Sequence, residues 1–277
     1  FDFEADDGLD RDKVVYLVRE DGAIPFASVA WPGFVGVVTG MNADGVVMVV
    51  HGGRAREPVT DGMPVAFSLR EALARGHTAD EAVAILQAQA VMVSHIVFVA
   101  DAAGSVRIVE RAPGERAEVR AMQGQGWVTN TFAGPLASDP KNLRVQETTT
   151  SDERGARVEE LLRRASPDAS PADALALLRD HGCARDPHCP LGDRRSVDAL
   201  IATHGIIADA TARRLWVSAG PHLAGPFVEI DLARVFSPGY EPEAGRAPAT
   251  LPADPVLDDG RYARVQAARA AGEAGRP

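Results

Sequence analysis

The chain has 277 residues, 45% hydrophobic and 25% charged side chains, and a formal net charge of −10 at pH 7. A chain of this length and apolar content can bury about 70–75% of its unfolded surface, so it needs no disulfide or metal to fold, and disorder of the whole chain is excluded. The acidic balance argues against duplex nucleic acid and anionic membrane surfaces as partners, because both require a cationic face. No apolar run reaches the roughly 18 residues of a membrane-spanning helix, and no signal peptide is read, in a chain that starts with Phe1 and not Met.

The first part reads as β-rich. Val14–Glu20, Phe26–Ala30, Phe34–Thr39 and Val46–His51 are short runs rich in Val and Phe. Asp21-Gly22, Pro32-Gly33 and Asn42-Ala43-Asp44-Gly45 separate them as turns, the last a hairpin turn whose Gly can take positive φ. Helical spacing follows over Phe67–Arg75 and Ala79–Gln89, with Thr78 and Glu81 forming a capping box at the start of the second. Strands resume at His95–Ala100 and Ser105–Arg111 around the turn Asp101–Gly104, and again at Arg116–Ala121 and Gly126–Thr129.

Pro135–Asn142 reads as a loop. Asp152–Ala165 is helical, with Val158, Leu161 and Leu162 on one face. Ser170-Pro171 opens another helix running to about Asp180, Ser at the N-cap and Pro at the first helical position. Gly182–Arg195 is irregular, Ile201–Asp209 and Arg214–Ser218 form a hairpin-like pair, and Phe227–Ile230 adds a strand. Ser237–Pro255 is an exposed extended stretch before a terminal helix over Tyr262–Glu273. Blocks of antiparallel hairpins with helices outside them, without strand–helix alternation, indicate an α+β fold. The expected organisation is one domain over 1–236, with 237–277 an extended segment and short helix packed on it.

Several chemistries are absent: there is no G-x-S-x-G elbow, no Walker loop, no H-E-x-x-H and no G-x-G-x-x-G. His181, Cys183, His188 and Cys189 lie within nine residues and could each ligate zinc. Their spacing lacks the two separated ligand pairs of a structural site. A local Cys183–Cys189 bridge, two free thiols and an ordinary loop all fit as well. His95 and His204 sit in apolar strands and read as structural histidines, and Asn42 reads as a turn residue.

The remaining motifs are scattered: Phe1-Asp2-Phe3-Glu4, Trp31-Pro32-Gly33-Phe34-Val35-Gly36, Gly40–Gly45, Asp101–Gly104, Val128-Thr129-Asn130-Thr131-Phe132, Ser151–Arg154 and Leu200–His204. In this order and spacing the chain, from Phe1 to about Leu232, resembles the acyl-coenzyme A:6-aminopenicillanic acid acyltransferase family (peptidase C45) of N-terminal-nucleophile hydrolases. The resemblance implies a four-layer αββα sandwich. It also implies a cysteine nucleophile, made N-terminal by self-cleavage, whose own α-amine serves as base. An α-amine titrates at about 7.7–8, which suits that task.

In such enzymes the cysteine lies on the hairpin strand before an Arg-Asn-x-Asp motif. Asp2 matches the last residue of that motif, so the cysteine is expected upstream of Phe1, with the N-terminal strand segment truncated. The resemblance assigns Asp2 to orienting the α-amine, Asn130 to donating to the oxyanion, and Arg154 to supporting the polar network, with Arg157 a competing match. Thr131 stands where relatives often carry His. His51 and Gly52 fall on the strand that helps form the oxyanion hole. Trp31 and Phe34 could line an acyl pocket or simply pack the core.

The implied activity is hydrolysis, or acyl transfer, at a non-peptide amide or acyl thioester through an acyl-enzyme, with hydrolysis the default. No metal and no organic cofactor is called for, and the expected partner is a small amide or acyl substrate, a CoA thioester included. The alternative is a catalytically inactive relative that keeps the pocket for binding or structure. Compartment, cytoplasmic or exported, and homo-oligomerisation stay open at this stage.

Overall fold

The computed structural model describes residues 8–166, 168–241 and 248–274, so Asp2 lies outside the described residues. After a short helix α1 (Gly8–Arg11), seven strands form one antiparallel meander in simple chain order: β1 (Val14–Val18), β2 (Phe26–Ala30), β3 (Thr39–Asn42), β4 (Val47–Gly52) and, beyond two helices, β5 (His95–Ala100), β6 (Val106–Arg111) and β7 (Glu118–Met122). The two helices are α2 (Val65–Arg75) and α3 (Ala79–Gln87). The chain then forms a 3₁₀ turn at Pro135–Ser138 and helices α4 (Pro140–Thr148), α5 (Ser151–Leu162) and α6 (Pro171–Leu178). A second antiparallel sheet follows, with β8 (Ile206–Asp209), β9 (Arg214–Ser218), β10 (Phe227–Asp231), a short α7 (Leu232–Val235) and β11 (Thr250–Leu251) in the order β11-β10-β9-β8. Helix α8 (Arg261–Ala274) ends the described chain.

The period-two alternation of side chains in the strands sorts the core into layers. On one face of the large sheet, Phe26, Met48, Val50, Val97, Val99 and Val109 pack under Leu69, Leu73, Val83 and Leu86 of α2 and α3. On its other face, Ala27, Val29, Met41 and Val47 meet Leu215 and Val217 of β9. Trp216, between those two, points the opposite way with Ile207 and Phe227 and packs against Leu175 of α6. The packed faces thus run helix pair, large sheet, small sheet, helix. The inner face at the far edge of the large sheet, where Ile96 and Ile108 lie, is covered by a loop segment carrying Phe132 and Leu136.

Buried polar residues tie the layers together. Asn42 is fully buried, its Oδ1 accepting from the Asp44 and Val46 backbone to hold the turn. Its Nδ2 donates to the Leu73 and Gly76 carbonyls, so one side chain also caps the end of α2. Thr78 accepts from the Glu81 backbone, as the capping-box reading expects, while the Glu81 carboxylate accepts from the His77 N–H. At the start of α6 the capping box of Ser170 and Asp173 is complete.

The structure departs from the sequence reading at four places. β8 begins at Ile206, so residues 201–205, His204 included, lie outside the strand. Phe34–Thr39 is not a strand; β3 begins at Thr39, because the turn at Trp31–Phe34 and the docking of the Val37 N–H on the Ala66 carbonyl take the preceding residues out of the ladder. Gly126–Thr129 is also irregular: Trp127 leans on Gly155 of α5, which leaves the segment no strand partner. Pro135–Asn142 holds a 3₁₀ turn and the start of α4, opened by Asp139, whose carboxylate accepts from the Lys141 N–H, with Pro140 at the first helical position.

The C-terminal stretch adds β11 to the small sheet through Phe227↔Leu251 pairing. Tyr262 and Val265 of α8 pack on Leu200 and Ala224, and Arg269 donates to the Leu200 carbonyl at 2.7 Å.

Candidate functional site

The loop that carries Asn130 is held from three directions. Phe132 is buried against Ile96 and Ile108. Glu110, fully buried on β6, accepts from the Ala133 and Gly134 N–H groups at 2.9 Å each and pairs with Arg120 at 2.9 Å. Asn142 of α4 accepts from the Phe132 N–H at 2.8 Å and donates to the Ala137 carbonyl at 2.9 Å. A loop whose backbone groups are satisfied in this way presents its free side chain in a fixed place.

That side chain is Asn130. Its Nδ2 donates to the Gly52 carbonyl at the end of β4, 2.9 Å away. Its Oδ1 accepts from Arg154 Nη2 at 2.8 Å, and the same guanidinium nitrogen reaches Ser151 Oγ at 3.3 Å. The two contacts assign the amide orientation: the oxygen faces the guanidinium and the nitrogen faces the carbonyl. A primary amide carries two N–H donors, and Gly52 takes one. No described residue takes the other, and Asn130 lines a cavity of about 1040 Å³ together with Gly52, Gly53, Ser151 and Arg154.

Ser151 and Arg154 arrive on the first turn of α5. Thr150, before it, spends its hydroxyl on the Arg194 carbonyl at 2.7 Å, which ties α5 to the segment that closes the far wall of the cavity. Arg157, the competing match one turn on, is committed elsewhere. It forms a two-point pair with Asp180 at 2.7 and 2.8 Å and a further contact with Glu160, which raise its pKa.

His51 precedes Gly52 on β4. Burial, with the positive charge of Arg154 adding to it, pushes its pKa down to about 4, so its imidazole is neutral at pH 7. Gly52 and Gly53 let the chain turn close to Asn130 and Phe132. A Cβ at Gly53 would stand 2.8 Å from the Phe132 ring, whereas one at Gly52 would meet only Asn130 Nδ2, at 3.8 Å.

Asn130, Arg154 and Gly52 therefore converge, with His51 alongside in sequence. Trp31 and Phe34 are not among the described residues lining this cavity. They pack edge to face at 6.0 Å against the core beneath α2 and α3, with the Trp31 indole donating to the Leu9 carbonyl. His95 and His204 are buried. His95 lies between the Val93 carbonyl and Arg111, and His204 Nε2 is 3.0 Å from Thr39 Oγ1.

Cys183 and Cys189 are joined as a disulfide, so their sulfurs are not thiolate ligands. Among the described residues the one group of potential ligands near them is completed by Asp193 and includes neither His181 nor His188. His181 instead approaches the Asp198 carbonyl and the Asp254 carboxylate.

Glu110 and Asn142 escaped the motif reading. The signal for Glu110 was present: in β6 it follows Ile108 at period two, a carboxylate on an inward apolar face, which must be satisfied by something that comes to meet it.

The family model described as "Acyl-coenzyme A:6-aminopenicillanic acid acyl-transferase" matches residues 10–220. No curated protein sequence matches the chain. Among solved structures, a variant of the conjugated bile acid hydrolase from Clostridium perfringens is 10% identical, with 91% of this chain and 92% of that one covered at a TM-score of 0.53. The N-acylethanolamine-hydrolyzing acid amidase ortholog of Caenorhabditis elegans is 15% identical, covering 65% and 78% at a TM-score of 0.47. The penicillin V acylase of Agrobacterium tumefaciens is 19% identical, covering 81% and 68% at a TM-score of 0.43. The first of these supports the fold, mixed α and β with antiparallel sheets. With more than half of its length matched by the family model, the chain belongs to the acyl-coenzyme A:6-aminopenicillanic acid acyl-transferase family.

Proposed function

We propose that this protein cleaves a non-peptide amide, or transfers the acyl group it releases, through a thioester acyl-enzyme on an N-terminal cysteine that precedes Phe1. The reading is supported by family membership and carried by one observation: Asn130, locked by Arg154 and Gly52, keeps a second N–H donor at a large cavity. The cysteine thiolate attacks the carbonyl carbon, and its α-amine takes the thiol proton and passes it to the leaving amine. The carbonyl oxygen becomes an oxyanion beside Asn130 Nδ2. Water, or an acceptor amine, then attacks the thioester and releases the acyl group.

Arg154 acts here as a positioning residue. By drawing electron density through Oδ1 it also strengthens the opposite N–H as a donor. Asp2 is assigned to the cysteine α-amine in this reading, and His51, neutral at pH 7, adds no competing charge.

The test is incubation of the full-length gene product with a panel of N-acyl amides, followed by amine release and intact mass. Turnover with an acyl adduct on a cysteine is expected, and Asn130→Ala should lower kcat by about 100- to 1000-fold, as for other single oxyanion donors. No turnover across the panel, or an Asn130→Ala enzyme with unchanged kcat, would overturn the reading.

A further inference from the structure

The cavity beside Asn130 has an unusual charge balance for a protein with a formal net charge of −10. Among its described lining residues are six cationic side chains, Arg54, Arg56, Lys141, Arg144, Arg154 and Arg194, and no acidic one. Two of these cations are neutralised from outside the cavity: Arg56 pairs with Glu115 at 2.6 Å and lies 3.7 Å from Asp139, and Lys141 pairs with Glu57 at 2.7 Å. Arg154 is engaged with Asn130. Arg54 and Arg144 have no acidic partner among the described residues, and they reach the cavity from different elements, the segment after β4 and helix α4.

The same walls carry Val93, Val145 and Ile201, so apolar surface lies alongside the charge. A cavity with an excess of cations concentrates anions, and the arginine fork matches a carboxylate at two points. Nothing in the folding of the chain requires this excess, since both arginines are exposed and like charges repel.

We infer that Arg54 and Arg144 form a carboxylate-recognition subsite, and that the protein selects amide substrates with an apolar acyl chain and a second, anionic group away from the scissile bond. This rests on the amide-cleaving reading above and narrows it. The carboxylate docks between the two guanidinium groups, the acyl chain lies along the valine and isoleucine wall, and the amide carbonyl comes to Asn130.

Three probes of similar length test it with the full-length protein: N-octanoylglycine, with the carboxylate on the amine half; N-ethylsuberamic acid, with it on the acyl half; and neutral N-octanoylethanolamine. Binding by calorimetry and turnover are both measured, for the parent and for Arg54→Gln/Arg144→Gln. At least one acidic probe should bind or turn over about tenfold better than the neutral one, and the double substitution should abolish that preference, the size expected for a lost charge-assisted hydrogen bond.

Equal handling of all three probes would overturn the carboxylate subsite while leaving amide cleavage standing. A preference that survives the double substitution would overturn the assignment to these arginines. Arginine-dependent binding of an acidic probe without turnover of any would support the subsite and count against the amide-cleaving reading instead. Because both side chains are exposed, loss of folding is not expected, and a thermal melt of the variant checks it.

Discussion

Arg154 Nη2 donates to Asn130 Oδ1 across 2.8 Å, and this contact decides which end of the amide faces the cavity. Without it the Asn130 amide could turn over and offer its oxygen, an acceptor, where the proposed mechanism puts an oxyanion that needs a donor. Arg154→Ala should therefore lower kcat about 10- to 100-fold with a smaller change in KM, and Arg154→Lys should recover part of the loss. Steady-state kinetics on the best amide from the panel measure the split. A change confined to KM would mean that Arg154 binds substrate instead of orienting Asn130.

The adjacent glycines should behave differently. Gly53→Ala forces a methyl to within 2.8 Å of the buried Phe132 ring and should cost about 1–3 kcal/mol, read as a lower denaturation midpoint. Gly52→Ala meets only Asn130 Nδ2 at ordinary contact distance. It should leave the midpoint nearly unchanged and lower kcat by shielding the donor.

Glu110 holds the loop that carries Asn130 and is not among the described residues lining the cavity. Glu110→Gln keeps one acceptor oxygen but sets an amide NH₂ against the Ala133 or Gly134 N–H, and it removes the charge that Arg120 meets. The expected cost is about 1–3 kcal/mol in chemical denaturation. A crystal structure of the variant should show the 130–134 segment displaced while β6 stays in register; an undisturbed segment would refute the anchoring role.

Stability should fall on mild acidification. Burial, with Arg111 nearby, lowers the His95 pKa from 6.5 to about 4, and its Nδ1 donates to the Val93 carbonyl as the neutral tautomer. The unfolded state binds a proton that the folded state refuses, so stability is whole above about pH 6.5 and is lost progressively towards pH 4. For His95 alone the loss is on the order of 3 kcal/mol. Replacing it by Asn should flatten the pH dependence of the urea midpoint in that window. An equally steep dependence in the variant would assign the effect to other groups.

Much of the fold was legible because the relevant physics is local. The Val- and Phe-rich run at Phe26–Ala30 became β2 with the expected bounds, and the caps at Thr78 and Ser170 formed because a hydroxyl needs only an N–H within its own turn. Phe34–Thr39 misled for the opposite reason. Its composition suits a strand, but it docks on α2, and that contact is invisible to a window of neighbours. At the site, the motifs singled out Asn130 and Arg154, whereas Glu110 matters through loop N–H groups 23 and 24 positions away and Asn142 through a fold of the 132–142 segment that no local pattern announces.

The chain by itself determined the antiparallel hairpins, the capped helices and the family, because alternation, turn chemistry and motif spacing are written in consecutive residues. Tertiary structure decided which side chains meet. It paired Asn130 with Gly52 across 78 positions and with Arg154 across 24, committed Arg157 to Asp180, and gathered six cations around one cavity in an acidic protein. Those choices depend on how two sheets and their helices pack, and packing is set by burial over the whole chain and not by any local pattern.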